Sequence, residues 1–226
     1  MLRFITFLLF ISTLQTSYAK NKTEKNILTK TKSHYFHLHQ NKKDKSKEAT
    51  VYILLHGVGD NSENFIRFIQ SIWGEEEAIF LAPEGTTKVG KGYTWSGKDI
   101  NVIKEMMVDA IKRYKIKKSK IRLIGFSAGC IIGFLYCSLI PDHIDDFGGF
   151  GGFIMQGKGI PIKKMKGKVR VFYSVGQKDP NIRAFPQTLQ QLKNEKITVG
   201  SFKPTDSGHT LTKIQLQKML DYFNKK

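Results

Sequence analysis

The sequence predicts an α/β fold built on a mostly parallel, doubly wound sheet flanked by helices. Three observations predict it. From Thr50 onward, short apolar runs alternate with stretches of helical periodicity. The runs are apolar throughout, as strands buried on both faces are. The chain has 226 residues, 40% of them hydrophobic and 12% aromatic, enough for one large α/β domain. No internal repeat and no second domain interrupts the pattern.

Residues 1–19, MLRFITFLLFISTLQTSYA, place basic Arg3 before an apolar stretch from Phe4 to Leu14, with small Ser17 and Ala19 around a cut. This is the pattern of a secretory signal peptide, so the chain is expected to be secreted or periplasmic, with a mature start at Lys20. The stretch is short for a bilayer span, and no later segment offers eighteen uninterrupted apolar residues. No cysteine follows the leader, which argues against lipid attachment there.

Residues 20–49 read as a basic lead-in and an edge strand. Residues 20–33, KNKTEKNILTKTKS, are polar and lysine-rich. HYFHLHQ then alternates, with Tyr35, His37 and His39 on one face and Phe36 and Leu38 on the other. His37 and His39 have the spacing to share a metal, but no carboxylate or cysteine completes a ligand set nearby, and none is expected. NKKDKSKE reads as an exposed turn.

Residues 50–226 carry the alternation itself: strand TVYILLHG, helix 61–73, strand AIFLAP, helix 99–115, strand IRLIGFS, helix 128–140, Gly/Phe-rich FGGFGGFI, strand VRVFYSVG, helix 185–194, strand ITVGSF and a last helix from about 211. Asp60 with Glu63 three residues on predicts a capping box for the first helix, whose Phe65, Phe68, Ile69 and Ile72 fall at helical spacing. Cys130 and Cys137 lie seven apart on one predicted helix, about 10 Å along its axis, too far to bridge. Both read as small core residues.

The net charge is +18. Charge of this size attracts anionic surfaces. The basic residues are overwhelmingly Lys rather than Arg, and aromatics are not interleaved with them, so no specific nucleic-acid partner is indicated.

In open parallel sheets, chemistry gathers at the carboxyl ends of the strands. Ser127 follows IRLIG, Asp179 follows VRVFYSVG, His209 follows ITVGSF, and the turn His56-Gly57-Val58-Gly59-Asp60 follows YILL. Alone, Ser127 reads as a helix cap, Asp179 as a turn residue and His209 as a cap or surface residue. Together, in this order, serine, acid and histidine are those of an α/β hydrolase. A serine hydroxyl needs a histidine to take its proton, and the histidine needs an acid to fix its tautomer and stabilise its charge. Gly125 and Gly129 are expected to permit the sharp turn around the serine. The amides of Ala128 and Val58 are the oxyanion-hole candidates. Asp206, Asp145 and Asp146 compete with Asp179 for the acid, and loop position favours Asp179.

LLHGVGDNSENF, LAPEG, GFSAG, GQKDP and SGHT, in this order and spacing, resemble the phospholipase/carboxylesterase group of α/β hydrolases, which includes the acyl-protein thioesterases. The resemblance runs from about Thr50 to the end. It implies a hydrolase core, ester or thioester hydrolysis without a cofactor, the triad Ser127, Asp179 and His209, and an oxyanion hole from the Val58 and Ala128 amides. It also implies that Trp95 in YTWSG contacts substrate. The acidic residue that members often carry soon after this tryptophan is replaced by Ser96 and Gly97, and the Gln often found after the serine by Ala128.

Only MQGKGIPIKKMKGK separates FGGFGGFI from VRVFYSVG, too little for a helical cap domain. An open site is expected, suited to a bulky or polymeric ester substrate, with the Lys-rich loop 158–168 near its rim. The expected function is therefore a serine hydrolase working through an acyl-enzyme. A serine peptidase, an acyltransferase or a non-catalytic binding protein of the same fold stands as the alternative, and the oligomeric state is left open.

Overall fold

The computed structural model describes residues 27–30, 35–41, 50–74, 77–113, 121–155, 157 and 159–225. The expected leader at 1–19, most of the lead-in and the expected turn at 42–48 lie outside the described residues. In chain order the elements are β1 (Ile27–Lys30), β2 (Tyr35–Asn41), β3 (Thr50–Leu55), α1 (Ser62–Ile72), β4 (Ala78–Pro83), β5 (Thr87–Val89), β6 (Gly92–Thr94), α2 (Asp99–Arg113), β7 (Ile121–Phe126), α3 (Ala128–Leu139), β8 (Asp146–Phe150), β9 (Arg170–Ser174), α4 (Phe185–Asn194), β10 (Val199–Phe202) and α5 (Lys213–Asn224). Eight strands form one sheet in the order β1-β2-β4-β3-β7-β8-β9-β10. β2 runs antiparallel to β1 and β4, and the other pairings are parallel. The doubly wound α/β sheet is as expected, and the five helices fall within two residues of their expected bounds.

Three local expectations are corrected. Ile27–Lys30, inside the expected lead-in, is a strand, so the sheet begins before Thr50 and β2 is not at the edge. The segment after β4 folds into the two-stranded hairpin β5–β6, which the sequence reading left without structure. Asp60 does not cap α1. Asn61 does, its side chain accepting from the Asn64 amide at 2.8 Å, while Glu63 turns outward to Arg67. The reason is that the hairpin holds the Asp60 backbone: the Tyr93 amide donates to Asp60 O and the Gly59 amide to Tyr93 O, both at 2.8 Å.

Each buried strand feeds two cores because successive side chains point to opposite faces. Val51, Ile53 and Leu55 of β3 pack with α2, α3 and α4, while Tyr52 and Leu54 pack with α1 and α5. Phe65, Ile66 and Ile69 of α1 are essentially inaccessible, and each such side chain contributes about 1.5–3 kcal/mol. Cys130 and Cys137 are both free and buried on α3, and burial pushes both thiols up. α5 starts with a capping box of Thr212 and Gln215, and Gln215 Nε2 also donates to Ser174 Oγ at 3.0 Å, tying the helix to the end of β9.

The register aligns the carboxyl ends of the central strands. Leu55 lies opposite Gly125, Phe126 opposite Phe150, Phe150 opposite Ser174 and Ser174 opposite Phe202. The segments that follow therefore leave the sheet side by side. At the other end, the Asp146 carboxylate is wholly buried between two guanidinium groups, Arg122 Nε at 2.9 Å and Arg170 Nε at 2.7 Å. The same arginines donate to the Phe223 carbonyl at 3.3 and 2.8 Å, which anchors the end of α5. Removing one partner of such a pair leaves a buried charge uncompensated. Asp146→Asn is therefore expected to destabilise the fold by about 3–5 kcal/mol, read as a lower urea midpoint; a midpoint close to wild type would show that the two arginines find other partners.

Candidate active site

Ser127 sits between the last residue of β7 and the first of α3, with φ 55° and ψ −116°. A left-handed φ is strained for a residue with a side chain and survives only where the surroundings impose it. The serine itself adopts the left-handed conformation, and the flanking glycines do not. Gly125 and Gly129 permit the turn, as expected, by supplying room. A Cβ on Gly125 would come within 2.3 Å of the Gly129 carbonyl oxygen, and one on Gly129 within 2.0 Å of the Leu55 carbonyl oxygen. Without side chains at both positions, the first turn of α3 presses onto the end of β3. The Ser127 amide donates to Phe150 O at 2.8 Å, which fixes the turn on the neighbouring strand.

Asp179 and His209 come from the loops after β9 and β10, and those loops are laced together. The Gln177 amide donates to Pro204 O at 2.9 Å and the Lys178 amide to Ser207 O at 3.0 Å. Gly176 permits this, because a Cβ there would meet Ser207 O at 2.2 Å. As a result Asp179 Oδ2 lies 2.8 Å from His209 Nδ1, and His209 Nε2 lies 2.9 Å from Ser127 Oγ. A carboxylate only accepts, so in the neutral imidazole Nδ1 carries the proton and Nε2 is left to accept from the serine hydroxyl. Asp179 is 2% exposed and also accepts from the Asn181 amide at 2.7 Å. The rival acids stand elsewhere. Asp146 and Asp145 are at the amino ends of strands, the first held by arginines and the second by the Ile121 amide, and exposed Asp206 reaches Lys178.

The turn after β3 completes the surroundings of Ser127. A Cβ on Gly57 would lie 3.5 Å from Ser127 Cβ, so the turn that carries Val58 packs against the nucleophile's turn. Among the described residues, neither the Val58 nor the Ala128 amide donates to another part of the chain. These are the two amides that the sequence reading put forward for an oxyanion.

Several residues that the sequence reading gave no role hold this turn. His56 is fully buried, its Nδ1 donating to Gly57 O at 2.7 Å and its Nε2 accepting from the Gly85 amide at 3.2 Å. Trp95 donates its indole N–H to His56 O at 2.8 Å and packs its ring 4.6 Å from the imidazole. Trp95, expected to contact substrate, thus has its indole nitrogen committed to the turn. Glu84 accepts from the Ser62 amide at 2.9 Å and lies 3.7 Å from His56 Nε2. Buried Asp99 accepts from Ser96 N and Thr86 N, fastening both flanks of the hairpin. The LAPEG motif pointed at Glu84, but only the fold brings it to His56. His37 bonds Ser62 Oγ at 2.9 Å rather than joining His39 in a ligand set. Among the described residues, no group of three or more His, Cys, Asp or Glu side chains is placed to hold a metal.

A profile of the phospholipase/carboxylesterase family matches residues 97–226 of the chain. Among solved structures, a carboxylesterase from Mesorhizobium loti is similar at TM-score 0.71 and 15% identity, over 91% of this chain and 100% of that one. A Bacillus cereus carboxylesterase is similar at TM-score 0.66 and 20% identity, over 91% and 95%. FphF, a fluorophosphonate-binding serine hydrolase of Staphylococcus aureus, is similar at TM-score 0.67 and 11% identity, over 88% and 96%. At these identities the structures share the fold. No curated protein sequence matches the chain.

The buried histidines give the stability a pH dependence of known sign. Burial is the largest influence on both His37 and His56 and lowers each below the ordinary value of 6.5. Below pH 6.5 the unfolded chain takes up protons that the folded chain refuses, so stability falls as pH drops toward the lowered values. The slope is up to about 1.4 kcal/mol per pH unit for each histidine. Glu84 acts with the opposite sign, because burial raises its pKa above the ordinary 4.5 and favours the protonated folded form. The melting temperature is expected to fall from pH 7 to pH 5, and His37→Gln to fall less steeply; equal slopes would remove His37 from this linkage.

Proposed function

The chain belongs to the phospholipase/carboxylesterase family of α/β hydrolases, and on that premise we propose that it hydrolyses carboxylic esters through Ser127, His209 and Asp179. The observation that carries the proposal is the unbroken relay from Asp179 Oδ2 to His209 to Ser127 Oγ, at 2.8 and 2.9 Å. Ser127 Oγ attacks the ester carbonyl carbon while its proton passes to His209 Nε2. The carbonyl oxygen becomes an oxyanion that accepts from the Val58 and Ala128 amides. As the carbon–oxygen bond to the leaving group breaks, His209 returns the proton to the departing alkoxide. The acyl group is left on Ser127, and water activated by His209 releases the acid. Asp179 holds the imidazole in the required tautomer and stabilises its charge in both steps.

The approach to the serine supports an ester with a bulky or polymeric leaving group. Between β8 and β9 the described residues form only a loop and the short 3-10 turn Ile162–Met165, with no helical cap. Exposed Lys163, Lys164, Lys166 and Lys168 do not stand at the rim expected of them, because Met165 packs on Ser138 at the end of α3 and Lys168 pairs with Asp142, at the amino ends of the strands. The leader-like residues 1–19 support export, which puts the reaction outside the cytoplasm.

A panel of p-nitrophenyl esters, thioesters and peptides tests the reaction class. Ser127→Ala is expected to lose several powers of ten in turnover with an unchanged fold. Asp179→Asn is expected to lose on the order of 10⁴-fold, because the amide favours the wrong imidazole tautomer, while Asp206→Asn stays near wild type. Ester turnover by Ser127→Ala within about tenfold of wild type would remove the serine from the mechanism. Inactive Asp206→Asn beside active Asp179→Asn would reassign the acid.

A further inference from the structure

The Gly/Phe-rich run after β8 has no part in the relay, yet it passes between the serine and the histidine–acid pair. Phe150 O accepts the Ser127 amide at 2.8 Å, and a Cβ on Gly152 would lie 2.6 Å from Ser127 O. On the other side, a Cβ on Gly151 would lie 3.3 Å from both Asp179 Oδ2 and His209 Cε1. Gly151 has φ +62°, so the crossing depends on glycine there for both shape and space. The segment is therefore a spacer. It touches the nucleophile's turn with one peptide and the base and acid with the next.

Several bonds hold the spacer. The Gly151 amide donates to Ser174 O at 3.0 Å, the Tyr173 hydroxyl donates to Gly152 O at 2.6 Å, and Asn181 Nδ2 donates to Gly151 O at 2.8 Å. Asn181 joins the spacer to the acid. Its own amide gives Asp179 Oδ1 a bond at 2.7 Å, while Oδ2 faces His209. Orientation of the carboxylate is thus shared between the histidine and a residue whose side chain is fastened to the spacer.

We propose that Asn181 is a positioning residue, which fixes the Asp179 carboxylate relative to the Gly151 spacer and so sets the alignment of His209 with Ser127. It acts only through Asp179. The inference rests on the triad reading above. Loss of the Nδ2 bond leaves the Asn181 amide free to drift with the start of its 3-10 turn, and displacements below 1 Å at a relay cost rate steeply.

The test compares wild type, Asn181→Ala, Asn181→Asp, Asp179→Asn and the Asp179→Asn/Asn181→Ala double variant on one p-nitrophenyl ester. Active sites are counted by fluorophosphonate titration, so partial unfolding does not pass for slow turnover. Asn181→Asp keeps the shape but has no donor, which covers a failure of Asn181→Ala to fold. Both single variants are expected to lose kcat on the order of 10- to 100-fold per titrated site, with KM within about twofold of wild type. In the Asp179→Asn background the Asn181→Ala change is expected to add little, since the two act as a unit. Unchanged kcat per site in an active enzyme, or a loss that multiplies in full in the double variant, overturns the inference alone. A wild-type protein that neither binds the probe nor turns over the ester overturns the triad reading and the inference with it.

Discussion

The close approach of α3 to the end of β3 is the constraint on which the rest of the site depends. Gly129 lies against the Leu55 and His56 carbonyls, and Gly125 against Gly129, at separations that no side chain permits. The chain reaches that approach only if the residue between them turns sharply, and Ser127 takes the left-handed φ. The strain falls on the residue whose hydroxyl must stand clear of the sheet. Packing over the two cores supplies what holds it there.

Strand register turns this local strain into a site. Because β3, β7, β8, β9 and β10 end in line, the turn after β3, the serine, the Gly151 spacer and the two loops bearing acid and base emerge as neighbours. Their separations are then set by backbone contacts rather than by long side chains. The loops after β9 and β10 lace through amide bonds, and the turn after β3 is held by His56, Trp95 and the hairpin. Charge is segregated accordingly. The Arg122–Asp146–Arg170 cluster lies at the amino ends of the strands, where it anchors α5 away from the relay.

Much of this was legible from residues alone where the determinant is local. Apolar runs and helical spacing placed the six central strands and five helices, since burial on both sheet faces and the 3.6-residue period act within a few residues. The order of Ser127, Asp179 and His209 at strand ends singled out the relay, because strand termini are where a parallel sheet exposes its loops. The cap of α1 was misplaced by one residue because Asp60 and Asn61 are both competent caps. What separates them is the hairpin's hold on the Asp60 backbone, a contact with Tyr93 more than thirty residues on.

The sequence by itself determined the fold class, the central strands and the helices, and it singled out Ser127, Asp179 and His209, because periodicity, turn chemistry and residue type act at short range. Only the tertiary structure decided that Ser127 rather than a glycine carries the strained φ, that Trp95 secures the turn after β3 with its indole nitrogen, and that Gly151 stands between nucleophile and acid with Asn181 bonded to both it and Asp179. Each of these depends on two backbones meeting from distant parts of the chain. A glycine read in sequence is a freedom to turn or an absence of bulk, and only the atoms that press against it settle which.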